Sequence, residues 1–138
     1  MRKRGEEGFT LIEVMIAMAV VVIALIGIGF GNSKVQQVSA ESFEKARAIQ
    51  HANQVVERMR NLAATSLSSV TSTFSNGGTV ATSYYSTSTS ELLPSESVTV
   101  SFVNTTANPL DATVTVTWSQ RGIRTVSRSI RTYIAQRL

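Results

Sequence analysis

Apolar residues follow three successive patterns along this chain. From Phe9 to Gly31 they are nearly continuous, and Glu13 is the one charged residue among them. From Val35 to Ala63 they recur at three- and four-residue steps, as Val35, Val38, Ala46, Ile49, Ala52, Val56, Met59 and Ala63, with Ser42 the polar interruption. From Val98 onward they alternate with serine and threonine. The first pattern predicts a helix that can cross a hydrocarbon core of about 30 Å, at about 1.5 Å rise per residue. The second predicts an amphipathic helix. Together they predict one helix from Phe9 to about Ala64, roughly 80 Å long. Glu41 and Lys45, four apart, and Glu57 and Arg60, three apart, read as its solvated face.

The third pattern predicts strands. Val98, Val100 and Phe102 form one alternating set, Val114, Val116 and Trp118 a second, and Val126, Ile130 and Ile134 share parity within a third, from Ile123 to Ile134. Asn104 to Asp111, with Asn108-Pro109, connects the first pair, and Gln120-Arg121-Gly122 turns between the second. The expected fold class is α+β: a long N-terminal helix packed on a small C-terminal antiparallel β-sheet, with Trp118 anchoring the seam. Between helix and sheet, Thr65 to Ser90 is rich in serine, threonine and glycine and almost free of charge. It predicts a long, partly mobile loop with a turn at Asn76-Gly77-Gly78 and a short strand from Val80 to Tyr85. The expected divisions are a leader at 1–8, a transmembrane helix at 9–31, its amphipathic half at 32–64, a loop at 65–96 and a sheet at 97–138.

Charge and composition narrow the chemistry. Charged residues make up 16% of the chain, against about a quarter in an average soluble domain. The net charge is +4 and the sequence pI near 10.0. The absence of cysteine excludes a disulfide-stapled domain, a zinc ribbon and a thiol-redox site, and leaves export open. No Ser-His-Asp set, paired acids or phosphate loop stands out, so neither an enzyme nor a bound cofactor is expected. His51 is the sole histidine, and with no second histidine or cysteine it does not predict a metal site. Arg2, Lys3 and Arg4 precede the apolar run and place that end in the cytoplasm, with the rest outside. A secretory signal would be shorter and end in a small-residue cleavage site, whereas this run passes into Asn32-Ser33-Lys34. An acid within a membrane segment is unfavourable, and Glu13 therefore calls for a partner.

The stretch Gly8-Phe9-Thr10-Leu11-Ile12-Glu13-Val14 resembles the class III signal of type IV pilins and type II secretion pseudopilins. The resemblance implies cleavage between Gly8 and Phe9 by a prepilin peptidase, then N-methylation of Phe9. It also implies a role in subunit assembly for Glu13, with Thr10 beside it. Glu13 of one subunit would meet the new α-ammonium group of a neighbour, in surroundings where opposite charges attract far more strongly than in water. The implied partners are other pilin or pseudopilin subunits, the inner-membrane assembly platform and membrane lipid. The implied location is the bacterial inner membrane and then a pilus or pseudopilus. Less specifically, Ala48 to Asn61 and Val114 to Thr132 resemble minor pilins of the PilV type and minor pseudopilins. The cysteine pair of many pilins is missing, and Glu91, Glu96 and Asp111 are too few and scattered for the calcium loop of major pseudopilins.

Two features leave alternatives open. Gly27, Gly29 and Gly31 read as ordinary membrane-helix glycines, as a close-packing face, or as a segment that unwinds on assembly. Many major pilins carry a proline near here, where this chain has Phe30. Arg121, Arg124, Arg128, Arg131 and Arg137 cluster near the C-terminus, with Arg124 and Arg128 on one strand face. They read as a solvated strand edge or as a phosphate-contacting patch. The expected function is therefore a minor pilin or pseudopilin that initiates, caps or tunes filament assembly, the alternative being a DNA-binding minor pilin of a competence pilus. Asn104-Thr105-Thr106 also fits a glycosylation sequon.

Overall fold

A computed structural model describes residues 9–136, so Gly8 of the expected cleavage site and Arg137 of the basic cluster lie outside the described residues. The chain divides into two compact units, Met1–Ala40 and Glu41–Leu138. Helix α1 spans Leu11–Ala63. At its start the Glu13 N–H donates to the Thr10 carbonyl at 3.1 Å and lies 3.4 Å from Thr10 Oγ1. Thr10 thereby acts as a local cap, satisfying a donor that the first helical turn leaves free. Within the first unit the apolar side chains, from Leu11 to Phe30, are exposed in the isolated chain. By length and composition this helix can cross a membrane.

In the second unit α1 buries Ala48, His51, Ala52, Val55, Val56, Met59 and Ala63. As expected, this face holds Ala52, Val56, Met59 and Ala63, but the rest of it is shifted. Ala46 is exposed and Ile49 is 43% exposed, while Val55 is 0% exposed. Steps of three and four fit two adjoining faces of this helix. The sheet takes the face on which Ala48 and Ala52 permit close approach and His51 finds an acid.

The serine- and threonine-rich segment holds more structure than its composition predicts. Helix α2, Leu67–Thr73, is capped by Ser66, whose Oγ accepts from the Ser69 N–H at 3.1 Å. Val70 and Phe74, one helical turn apart, enter the core and anchor it. The expected strand from Val80 to Tyr85 is displaced. Strand β1 is Gly78–Thr79, and Thr82–Tyr84 is a single 3-10 turn. Val80 still donates to Val98 O at 2.7 Å, and Tyr85 is buried. At Gly78 an added Cβ would lie 2.9 Å from Ser75 Cβ, so the expected turn there requires glycine.

Strands β2 (Ser97–Phe102), β3 (Leu110–Gln120) and β4 (Arg124–Ile134) complete a four-stranded antiparallel sheet in the order β1-β2-β3-β4. Val98 opposes Val116 and Val100 opposes Val114, so these side chains share the face that meets α1 and α2. Thr113, Thr115 and Thr117 point the other way. Between β3 and β4, Arg121 and Gly122 both adopt left-handed φ angles, 54° and 68°, which suits a tight hairpin. The α+β fold matches the expected class.

Candidate assembly and interaction sites

At the N-terminal end, Phe9 is 82% exposed and Glu13 stands in the first turn of α1, on an otherwise apolar surface. Among the described residues no cation stands within ion-pair distance of the Glu13 carboxylate. Gly27, Gly29 and Gly31 lie within continuous helix, and an added Cβ at any of them would meet nothing within 4 Å. Packing inside the chain therefore gives no reason for glycine at these positions. Any such requirement would arise from neighbours or from helix stability.

The second unit brings together residues that are distant in sequence. His51 Nδ1 donates to Glu96 Oε1 at 2.6 Å, with both side chains buried. Glu96 Oε2 accepts from the Leu93 N–H at 2.7 Å, so both carboxylate oxygens are engaged. The Tyr85 ring stands 5.4 Å from the imidazole, centroid to centroid. Burial raises the Tyr85 phenol above its ordinary pKa of 10.0, and the Glu96 charge adds to the rise. This cluster pins the turn before β2 onto α1. Sequence reasoning weighed His51 only as a metal ligand and Glu96 only as a scattered acid. No local pattern links them.

Trp118 is the expected core anchor, fully buried, and its Nε1–H donates to Glu44 Oε2 at 3.2 Å. Glu57 and Arg60 pair on the surface at 2.6 Å, and Glu41 and Lys45 at 3.9 Å, as their spacing predicts. The arginines separate by role. Arg131 is held by Asp111 through two hydrogen bonds, one of 2.8 Å from Nε. The guanidinium lowers the Asp111 pKa, chiefly through these bonds, and the carboxylate in turn raises that of Arg131. Arg124 and Arg128 share the helix-facing side of β4, opposite Gln120 and Val116, and both are exposed. Arg124 Nε donates to Gln120 Oε1 at 2.7 Å, and Arg128 Nη1 to the Ser127 carbonyl at 3.1 Å. Neither faces a carboxylate among the described residues.

Among the described residues no group of three or more His, Asp or Glu side chains stands close enough to hold a metal ion. The surface depressions are open grooves; the one lined by Phe43, Glu44, Ala46, Arg47, Gln50 and Leu93 encloses about 390 Å³ and gathers no convergent catalytic set.

Residues 3–29 match the family model described as the prokaryotic N-terminal methylation motif. The match takes in Gly8, Phe9 and Glu13 and runs on through most of the apolar segment. No curated protein and no solved structure matches the chain.

Proposed function

We propose that this chain is a structural subunit of a type IV pilus-like filament, a minor pilin or type II secretion pseudopilin that initiates, caps or tunes assembly. The observation that carries this reading is Glu13, a lone carboxylate in the first turn of an apolar helix, inside a methylation motif. The peptidase cuts after Gly8, and the exposed Phe9 becomes a methylated amino terminus. That terminus supplies the cation that Glu13 of an adjoining subunit lacks in the isolated chain. The opposite charges relieve each other's desolvation when the helices leave the membrane and pack together. The second unit, whose outer sheet face is lined by threonine and serine and charged at the Asp111–Arg131 pair, is carried on the outside.

N-terminal mass analysis of protein purified from its native membrane tests the processing step. The expected mass corresponds to loss of residues 1–8 and gain of one methyl group. A chain that still begins at Met1 where the peptidase is active would overturn the reading. Nucleic-acid binding within a DNA-uptake pilus is the second reading, favoured only by the unpaired Arg124 and Arg128.

A further inference from the structure

We propose that the β3–β4 hairpin tip is a docking site for anionic phospholipid headgroups, with Ile123 entering the interfacial layer of the bilayer. The proposal rests on the reading of α1 as a membrane-crossing helix and adds a second, reversible membrane contact to it.

Position is the first argument. Trp118, near the tip end of β3, is bonded to Glu44, close to where the chain enters the second unit at Glu41. The far end of the same hairpin, at Ile134, stands beside Asn61 and Ala64. The tip therefore lies at the end of this unit where the chain enters it.

Charge is the second. Lys45, Arg60 and Arg131 each pair with a carboxylate. Arg121, Arg124 and Arg128 are exposed and pair with none among the described residues. The acids at this end are already engaged, Glu41 by Lys45 and Glu44 by the Trp118 N–H. Arg124 is steadied through Nε by the buried Gln120, which leaves its two terminal nitrogens for phosphate oxygens.

The apolar component decides between anionic partners. Ile123 is 84% exposed at the apex, between Arg121 and Arg124. Behind it Val126 and Ile130 alternate with Arg124 and Arg128 on one face of β4. Single-stranded nucleic acid is held by stacking on aromatic rings, and the tip offers none. An aliphatic apex flanked by arginines suits the boundary between headgroups and acyl chains.

The chain has no cysteine, so a single introduced thiol can be labelled uniquely. The full chain carrying Ile123→Cys with a polarity-sensitive fluorophore would be placed in nanodiscs of phosphatidylcholine, with or without phosphatidylglycerol. The expected result is a blue-shifted emission only with phosphatidylglycerol, weakened by added salt. A control label at Asn104→Cys, in the exposed loop before β3, should not respond. Each arginine near an anionic leaflet is worth about a fivefold factor, so Arg121→Gln, Arg124→Gln and Arg128→Gln together should lower the docked-to-undocked ratio about a hundredfold. Unchanged Trp118 emission in that variant would show that it folds. Equal emission in both kinds of disc would overturn the tip assignment. A shift produced in neutral discs by inorganic phosphate or by duplex DNA would overturn the lipid assignment, the latter giving the surface to nucleic acid. Failure of the chain to co-elute with discs would overturn the membrane-crossing reading, and the proposal with it.

Discussion

His51 on α1 and Glu96 in the turn before β2 form a buried hydrogen-bonded pair, 2.6 Å from Nδ1 to Oε1. With the Glu96 bond to Leu93 N–H, the pair fixes the approach to β2 against the helix at a point where both side chains are buried. Leaving one member of a buried hydrogen-bonded pair unpartnered typically costs about 1–3 kcal/mol. Glu96→Ala is expected to destabilise the fold by an amount of that order, measured by urea unfolding. His51→Phe keeps a ring against Tyr85 and removes the pairing. In a double-mutant cycle with Glu96→Ala the two changes should be strongly non-additive. Additive losses would mean that the pair contributes only through packing.

Trp118 and Glu44 make a second link between sheet and helix, and here the acid is partly exposed. Glu44→Gln retains an acceptor oxygen and should change stability little. Glu44→Ala leaves a buried indole N–H without its partner, at a cost of about 1–3 kcal/mol. Trp118→Ala, which also opens a large cavity, should cost about 3–5 kcal/mol. Because Trp118 is the sole tryptophan, its emission reports the unfolding of this seam in every variant except its own.

Asp111 and Arg131 provide a pH-dependent contribution whose sign follows from the depressed carboxyl pKa. A carboxylate with a lower pKa in the folded state adds stability above its unfolded value, near 3.8, and loses it as pH falls through the folded value. Stability measured by urea unfolding should therefore fall below about pH 4, and less steeply in Asp111→Asn than in the parent. High salt should reduce the difference, since the pair is at the surface. Parallel acid profiles for parent and variant would remove this pair from the account.

The sheet was legible because alternation is a local signal. Val98, Val100 and Phe102, and then Val114, Val116 and Trp118, turn out to line one buried face. The length of α1 was legible for a similar reason, since apolar run and amphipathic stretch join without a breaker. The full helix face was not, although Ala52, Val56, Met59 and Ala63 were expected inside and are buried. Ile49 and Val55 both fit a three-to-four-residue spacing, and only the sheet decides that Val55 goes inside. Nor was α2, whose propensity is poor and whose existence depends on Val70 and Phe74 reaching the core. His51 and Glu96 were opaque for the simplest reason: 45 residues separate them, and the contact exists only once the helix and sheet have packed. At the N-terminus the reverse holds. Gly8, Phe9 and Glu13 were read as a motif from sequence alone, and the family-model match over residues 3–29 takes them in.

Glu13 is the residue on which the proposed function turns. In an assembled filament, a Glu13 carboxylate paired with a neighbour's methylated amine would be poorly hydrated, and breaking one side of such a pair costs about 3–5 kcal/mol. Glu13→Gln preserves shape and hydrogen-bonding capacity while removing the charge. It also leaves the Glu13 backbone bond to the Thr10 carbonyl untouched, so the start of α1 should form as before. Membrane insertion and cleavage after Gly8 are expected to proceed normally, since neither step uses a neighbouring subunit. Crosslinking to partner subunits is expected to fall sharply, because the ammonium group would then be desolvated without compensation. An interfacial acid with no partner behaves in the opposite way, with insertion slightly improved and assembly unchanged. Crosslinking yields compared beside a cleavage assay separate the two outcomes. Parental yields from Glu13→Gln would show that the assembly contact lies elsewhere on α1.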